Sequence, residues 1–298
     1  MKCSASCFQI QGKMLKGCSR FRCNLCKKIE IPEGVSFIGN GVFSGTKITD
    51  VTIKKINSIG PSAFSNTKKL RNVTIGQFYK IDDSAFEGSS LERIELGDGY
   101  SIGKNAFKGT KLRSVTIPGS VGEGAFMGCS ELEEVTFLGS SVSIGSGAFR
   151  GTAIQTLTLP NNVSIGSEAF AECNKLKSIT IPGSVQTVSS CAFYKCKELK
   201  QVTILDGVVA IDGSAFAGCY NLEIVTIPAS VSKINFMAFS ATRFRIQYGG
   251  SEEQWDELVS EMKEDYMEQR GYSELAEIEW NRGAFSRKDQ VIFDYLED

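Results

Sequence analysis

VTIPGSV occupies residues 115–121, ITIPGSV residues 179–185 and VTIPASV residues 225–231. Three near-copies of one heptapeptide in a chain of 298 residues make internal repetition the first reading to test. A second signal aligns far more of the chain. Phe43, Phe64, Phe86, Phe107, Phe126, Phe149, Phe170, Phe193, Phe216 and Phe239 recur at spacings of 21, 22, 21, 19, 23, 21, 23, 23 and 23. All but Phe43 follow an alanine. A period sustained near 22 residues predicts a solenoid, in which each unit covers the apolar face of its neighbour.

Other columns fall into line with the phenylalanines. Five residues earlier stand Ile38, Ile59, Ile81, Ile102, Val121, Ile144, Ile165, Val188, Ile211 and Ile234. The residue after each is Gly39, Gly60, Gly103, Gly122, Gly145 or Gly166, and otherwise Asp82, Ser189, Asp212 or Asn235. Gly, Asp and Asn tolerate positive φ, so this column is expected to be a left-handed turn. Downstream, Leu132, Val135 and Phe137 alternate with polar residues, as do Leu176, Ile179 and Ile181. Period-two alternation rich in β-branched residues predicts a strand with one face inward. Ten such strands spaced about 4.8 Å apart would form a parallel ribbon roughly 50 Å long. Three residues after the phenylalanines come Thr46, Thr67, Ser89, Thr110, Cys129, Thr152, Cys173, Cys196, Cys219 and Thr242, all small and able to hydrogen-bond. A ladder of such groups would satisfy backbone atoms inside the coil. One cysteine per coil lacks the clustered spacing of a metal site.

The unit I-G-x-x-A-F-x-G-C-x-x-L-x-x-V-T-I-P-x-S-V resembles the BspA-type leucine-rich repeat, found in surface proteins of anaerobic bacteria and some protozoan parasites. The likeness extends over residues 29–248 and implies a leucine-rich-repeat solenoid. A fold shared by many binders does not by itself name a ligand.

The ends differ from the body. Residues 1–28 carry seven Lys/Arg and no acid, whereas residues 251–298 carry fifteen Asp/Glu against five Lys/Arg. The net charge of −1 therefore conceals +7 and −10 at the two ends, with about +2 between. Solvated ends on a neutral body are one reading; a basic head attracted to nucleic acid is another. The head also holds Cys3, Cys7, Cys18, Cys23 and Cys26. Their spacing approaches a four-cysteine zinc site, but IEIP at 29–32 matches the VTIP register and puts Cys23 and Cys26 in a cysteine-rich first coil or disulfide-bearing cap. After RFRIQY (243–248), which keeps strand alternation but slips the repeat register, Gly249-Gly250 breaks the chain. Ser251 and Gln254 fit a capping box, and Trp255, Leu258, Val259, Met262 and Tyr266 share one helical face that would cover the last coil. The YGGSEEQW segment is similar to the cap of many arrays of the family. QVIFDYL (290–296) has the pattern of a closing strand.

Composition narrows the function. Hydrophobic residues make up 42% and charged residues 22%, as in a folded chain. The chain has no histidine, which excludes Ser-His-Asp and Cys-His nucleophile systems and imidazole metal sites. Phosphate-cradling glycine loops and nucleophile elbows are missing too. No apolar run reaches the roughly 20 residues of a membrane span, and the first residues lack the apolar core of a signal peptide. The two N-x-S/T sequons, at Asn72 and Asn162, are no more than chance would supply and matter only in a glycosylating pathway.

What remains is a surface. The residue after Leu runs Arg71, Glu92, Arg113, Glu133, alternating in sign, and beside it lie Asn72, Arg93, Ser114 and Glu134. Thr52, Thr74, Thr116, Thr136, Thr158, Thr180, Thr203 and Thr226 fill an outward column, and Tyr79 and Tyr100 share another. Alternating charges on neighbouring strands stabilise one another, and threonine suits an exposed pleat. The same polar ribbon is the place where a solenoid binds. The protein-binding candidates are thus Arg71, Asn72, Glu92, Arg93, Arg113, Glu133 and Glu134, with Tyr79 and Tyr100 as an aromatic anchor.

The sequence therefore predicts a repeat solenoid of leucine-rich-repeat type, mainly β with a parallel strand ribbon and a C-terminal helical cap. Residues 1–28 form a basic Cys-rich cap, residues 29–248 about ten repeats, and residues 249–298 an acidic cap with a helix over 251–268. Its expected function is that of a non-enzymatic protein-binding module with no cofactor, metal or small-molecule substrate, no membrane insertion, and nucleic acid disfavoured by the acidic tail. Adhesion or host-protein recognition is what the family resemblance implies, with a surface or secreted location. A cytoplasmic interaction scaffold is the alternative if the sequence is complete, and zinc or nucleic-acid binding through the head is a third.

Overall fold

The computed structural model describes residues 8–18, 26–240, 242, 244–270, 272 and 291–293. It groups into two compact units, Met1–Ile154 and Gln155–Asp298. Cys3, Cys7, Cys23 and the possible zinc spacing in the head lie outside the described residues.

The first unit opens with an antiparallel hairpin, β1 (Phe8–Gln11) and β2 (Met14–Cys18). Then come β3 (Lys28–Glu30), β4 (Phe37–Ile38), β5 (Asp50–Ile59), β6 (Asn72–Ile81), β7 (Arg93–Asp98) and β8 (Ser101–Ile102). The unit ends with β9 (Ser114–Ile117), β10 (Ser120–Val121), β11 (Glu134–Phe137) and β12 (Ser141–Ile144). All pairing after the hairpin is parallel, and it builds two ribbons where the sequence announces one. β3, the first half of β5 and of β6, and β7 form one ribbon, carried on by the β9–β11 pair. β2, β4, the second half of β5 and of β6, β8, β10 and β12 form the other.

The two ribbons meet at a corner. In β6, Val73 and Ile75 are buried alternately, then Gly76 and Gln77 are both exposed before Phe78 turns inward. This slip of phase turns the strand onto the second face. Coil length varies there and in the linker after Phe, whereas the Ile-to-Phe separation is always five residues. Ile117 and Val121 are four positions apart, but Ile204 and Ile211 are seven.

The core is a phenylalanine stack. Rings of Phe43, Phe64, Phe86, Phe107, Phe126 and Phe149 follow one another at 4.9–5.3 Å, tilted by no more than 14°. Each ring is essentially inaccessible, and burying a side chain of this size contributes about 2–3 kcal/mol. The small polar column forms the expected ladder. Thr46, Thr67 and Thr152 donate their hydroxyls to the phenylalanine carbonyl of their own coil, at 2.8–2.9 Å. Thr67 also reaches the Phe43 carbonyl of the preceding coil at 3.2 Å. The longer thiols of Cys129, Cys196 and Cys219 donate to the phenylalanine carbonyl of the preceding coil, at 3.1–3.3 Å. Ser89 is buried with its hydroxyl unbonded.

The left-handed turn is real but displaced from the predicted column. Positive φ occurs two residues before Phe, as at Ser62, Asn105 and Gly147, and two residues after it, as at Asn66, Gly128 and Lys195. Gly60, Gly122 and Gly145 have no such φ. Glycine stands there because coils touch: a Cβ on Gly122 would lie 2.7 Å from the backbone of Gly103, and one on Gly145 2.6 Å from the nitrogen of Glu123.

The second unit repeats the plan. β13 (Asn162–Ile165), β14 (Ser178–Ile181), β15 (Thr187–Val188), β16 (Gln201–Ile204), β17 (Ala210–Ile211), β18 (Ile224–Ile227), β19 (Lys233–Ile234) and β20 (Arg245–Tyr248) lead to helix α1 (Glu252–Arg270) and β21 (Val291–Phe293). One ribbon runs β14-β16-β18-β20-β21 and the other β15-β17-β19. β20 recovers the register that RFRIQY slips in sequence, with Ile246 beside Val225 and Tyr248 beside Ile227. β21 lies in QVIFDYL and adds one more parallel strand. The capping box forms: Gln254 Oε1 accepts from the Ser251 amide at 2.9 Å, and the Gln254 amide donates to Ser251 Oγ at 3.3 Å. Trp255, Leu258, Met262 and Tyr266 are buried while Val259 is half-buried. Trp255 packs on Tyr248 with ring centres 5.0 Å apart, and Tyr266 meets Phe236 edge-on at 5.2 Å.

Candidate protein-binding surface

All the predicted site residues fall in the first unit, but on two different ribbons. Arg71, Asn72, Glu92, Arg93, Arg113, Glu133 and Glu134 lie at the entrance of the first ribbon. Strand register puts Asp50, Asn72 and Arg93 in one row and Ser114 beside Glu134. Amide bonds from Glu92 to the Arg71 carbonyl and from Glu133 to the Arg113 carbonyl define the row next to it. Tyr79 and Tyr100 lie past the corner, on the second ribbon, opposite one another because Lys80 pairs with Ser101.

The first ribbon is largely paired with itself. Arg71 bonds Glu92 of the next coil. Arg113 pairs with Glu131, at 3.4 Å, and not with the Glu133 that sign alternation points to. The Asn72 amide donates to Asp50 at 2.7 Å, and Thr74 donates to Glu95 at 3.2 Å. The Thr49 hydroxyl, then the Asn72 amide, hold the Asp50 carboxyl below its usual range. Among the described residues, Arg93, Glu133 and Glu134 make no ion pair. Asp50, Glu95 and Glu131 are partners that the sequence reading does not contain. Glu131 escapes it because it sits in the linker, outside any repeating strand column.

The second ribbon has a different chemistry. The Tyr79 and Tyr100 rings are 5.4 Å apart at 43°, and the residues are 65% and 71% exposed. Neither phenol has a polar partner among the described residues, so both present ring surface and a hydroxyl to solvent. Lys80 beside Tyr79 is neutralised by Asp82 at 2.6 Å, a contact that holds the lysine above its usual range. Serines 58, 101 and 120 continue the row beside the tyrosines. At its start, Phe37 and Met14 are neighbours in register, each about two-fifths exposed. The result is a strip of large apolar groups and small hydroxyls, nearly neutral around the tyrosines and basic at its hairpin end, where Lys13 and Lys16 flank Met14.

Three of the buried thiols have no reactive character. Burial pushes Cys129 and Cys196 upward and Cys219 up to about 12, so all three stay protonated at neutral pH. Cys26 is buried in the Leu column of the first coil and is disulfide-bonded. No group of His, Cys, Asp or Glu among the described residues has metal-site geometry, and no described helix is long and apolar enough to cross a membrane.

Comparison with known proteins identifies a family. The sequence model of the BspA type leucine rich repeat region matches over residues 16–130, 100–165 and 119–247. No curated protein matches the chain. Among solved structures, a leucine rich cell surface protein of Faecalibacterium prausnitzii is 24% identical, with a TM-score of 0.35 over 78% of this chain and 90% of that one. A leucine-rich repeat protein of Bacteroides ovatus is 22% identical, with a TM-score of 0.47 over 79% and 82%. The pneumococcal vaccine antigen PcpA is 17% identical, with a TM-score of 0.45 over 76% and 62%.

Proposed function

The chain belongs to the BspA-type leucine-rich repeat family, and from that premise we propose that it is a non-enzymatic module that binds a protein ligand in adhesion or host-protein recognition. The carrying observation is the pair of exposed, mutually packed tyrosines on consecutive coils of the second ribbon. Exposed aromatics held rigid by a neighbour are the residue type that dominates interface energies, at about 2 kcal/mol or more each. The first ribbon flanks them with Arg71, Asn72, Glu92, Arg93, Arg113, Glu133 and Glu134. Arg71, Glu92 and Arg113 are ion-paired at home while Arg93, Glu133 and Glu134 face solvent, and exposed charges of this kind contribute to steering and salt dependence more than to affinity.

A scaffold inside the cell is the competing reading, supported by the buried thiols of Cys129, Cys196 and Cys219. The disulfide at Cys26 supports an oxidising compartment instead. Treating intact source cells with a non-penetrating protease separates them: loss of the band by immunoblot supports the surface role, and full protection overturns it. Binding is then tested by screening the chain against extracellular proteins. Tyr79→Ala with Tyr100→Ala is expected to weaken any hit at least about tenfold, and the Arg71, Arg93 and Arg113 to Glu variant to change mainly its salt dependence. Undiminished binding by the tyrosine variant removes the second ribbon as the site.

A further inference from the structure

The second unit carries a groove that the proposed function does not use. It runs between α1 and β19, holds about 190 Å³, and is rimmed by Glu261, Glu264, Asp265 and Glu268 against a single Lys233. Leu258 and Met262 line its apolar side. Among the described residues none of the four rim carboxylates has an ion-pair partner, so the rim is −3 with Lys233 counted (1 − 4).

The complement of this groove is in the same sequence. The β1–β2 hairpin turns at Gly12, whose φ is +59°, and presents Lys13, Met14 and Lys16 with no acid anywhere in residues 1–28. Lys13 and Lys16 are exposed and unpaired among the described residues, and Met14 between them is 39% exposed. Two exposed cations complement the anionic rim in charge, and Met14 between them would come against the groove floor, where Leu258 and Met262 are 4% and 1% exposed. The β2 backbone is already held against β4, so the hairpin meets a partner as a formed element.

We propose that the β1–β2 hairpin of one copy docks in the α1–β19 groove of a second copy. The two patches are different surfaces, so the contact is head-to-tail and propagates unless the geometry closes a ring. Its attraction is between exposed charges, so it weakens as salt shortens the Debye length from about 20–30 Å in dilute buffer to a few Å near 1 M.

The test is sedimentation velocity of the full chain at low and high salt over a wide range of concentration. The expected result is concentration-dependent assembly at low salt and a monomer at high salt. Lys13→Gln with Lys16→Gln, and separately Glu261→Gln, Glu264→Gln and Glu268→Gln, should each give monomers. Circular dichroism should stay unchanged in both, since all five side chains are exposed. An equimolar mixture of the two variants still contains one intact hairpin and one intact groove, and should stop at a dimer. A monomer under every condition overturns the proposal, as does assembly that survives either variant. Capture of an unrelated basic protein by the groove without self-assembly also overturns it.

Discussion

Gly145 and Gly147 stand two residues apart and are glycine for opposite reasons. At Gly147 the φ is +61° and nothing lies within 4 Å of an added Cβ, so the demand is conformational. At Gly145 the φ is ordinary, but a Cβ would press on the backbone of the preceding coil. Gly147→Ala should therefore cost about 1 kcal/mol, and Gly147→Asn should recover most of it, since Asn66 and Asn105 already adopt this conformation. Gly145→Ala should cost more, about 2–3 kcal/mol in the range of overpacking, with no rescue by asparagine. Denaturant melts of the four variants check the contrast. A sequence shows that glycine recurs, but not whether φ or contact demands it, and so the left-handed residues fall outside the column where glycine is most frequent. The buried thiols give a second residue-scale expectation. A thiol held above its ordinary value of 9.0 keeps in the folded chain a proton that the unfolded chain has lost. Its contribution is thus whole below pH 9 and declines as pH rises toward about 12. Replacing Cys129, Cys196 and Cys219 with threonine, which fills the same column at Thr67, Thr110 and Thr152, should flatten the alkaline fall of stability in pH-dependent melts.

Among elements, the strands were legible because alternation at Val135 and Phe137, or at Ile179 and Ile181, is written directly into the chain. The second ribbon was not, since strands as short as Ser120–Val121 leave no periodicity to read. With it went the distinction between the charged face and the tyrosine face. Arg71 and Glu92 are neighbours, as the sign alternation predicts, yet both remain over two-fifths exposed. A double-mutant cycle on the pair should return about 0.5 kcal/mol, marking it as surface complementarity and not as a staple of the fold. Helix α1 is the reverse case: its capping box and apolar face are plain in the sequence, and Trp255 in its first turn is buried at 1% exposure. Trp255→Ala should destabilise the second unit by about 3–5 kcal/mol. Hydrogen exchange should then quicken in β18 and β20 and leave β5 and β6 untouched, because interactions in a solenoid are nearest-neighbour.

For the molecule as a whole, the solenoid followed from ten phenylalanines and the family from the unit around them, whereas the partner did not follow from either. Columns that recur are those the fold requires. Tyr79 and Tyr100 depart from the repeat in only two coils, and Glu131 sits where no column runs. The corner between the ribbons carries a last consequence. Four positions suffice to turn it after Ile117 and seven are used after Ile204, yet the phenylalanine stack on either side is undisturbed. Length added there costs little beyond loop closure, about 0.6 kcal/mol for each doubling. Descent by duplication can therefore lengthen corners freely while freezing the five residues from Ile to Phe, and foreign peptide grafted between Leu205 and Val209 would ride on the scaffold as a passenger.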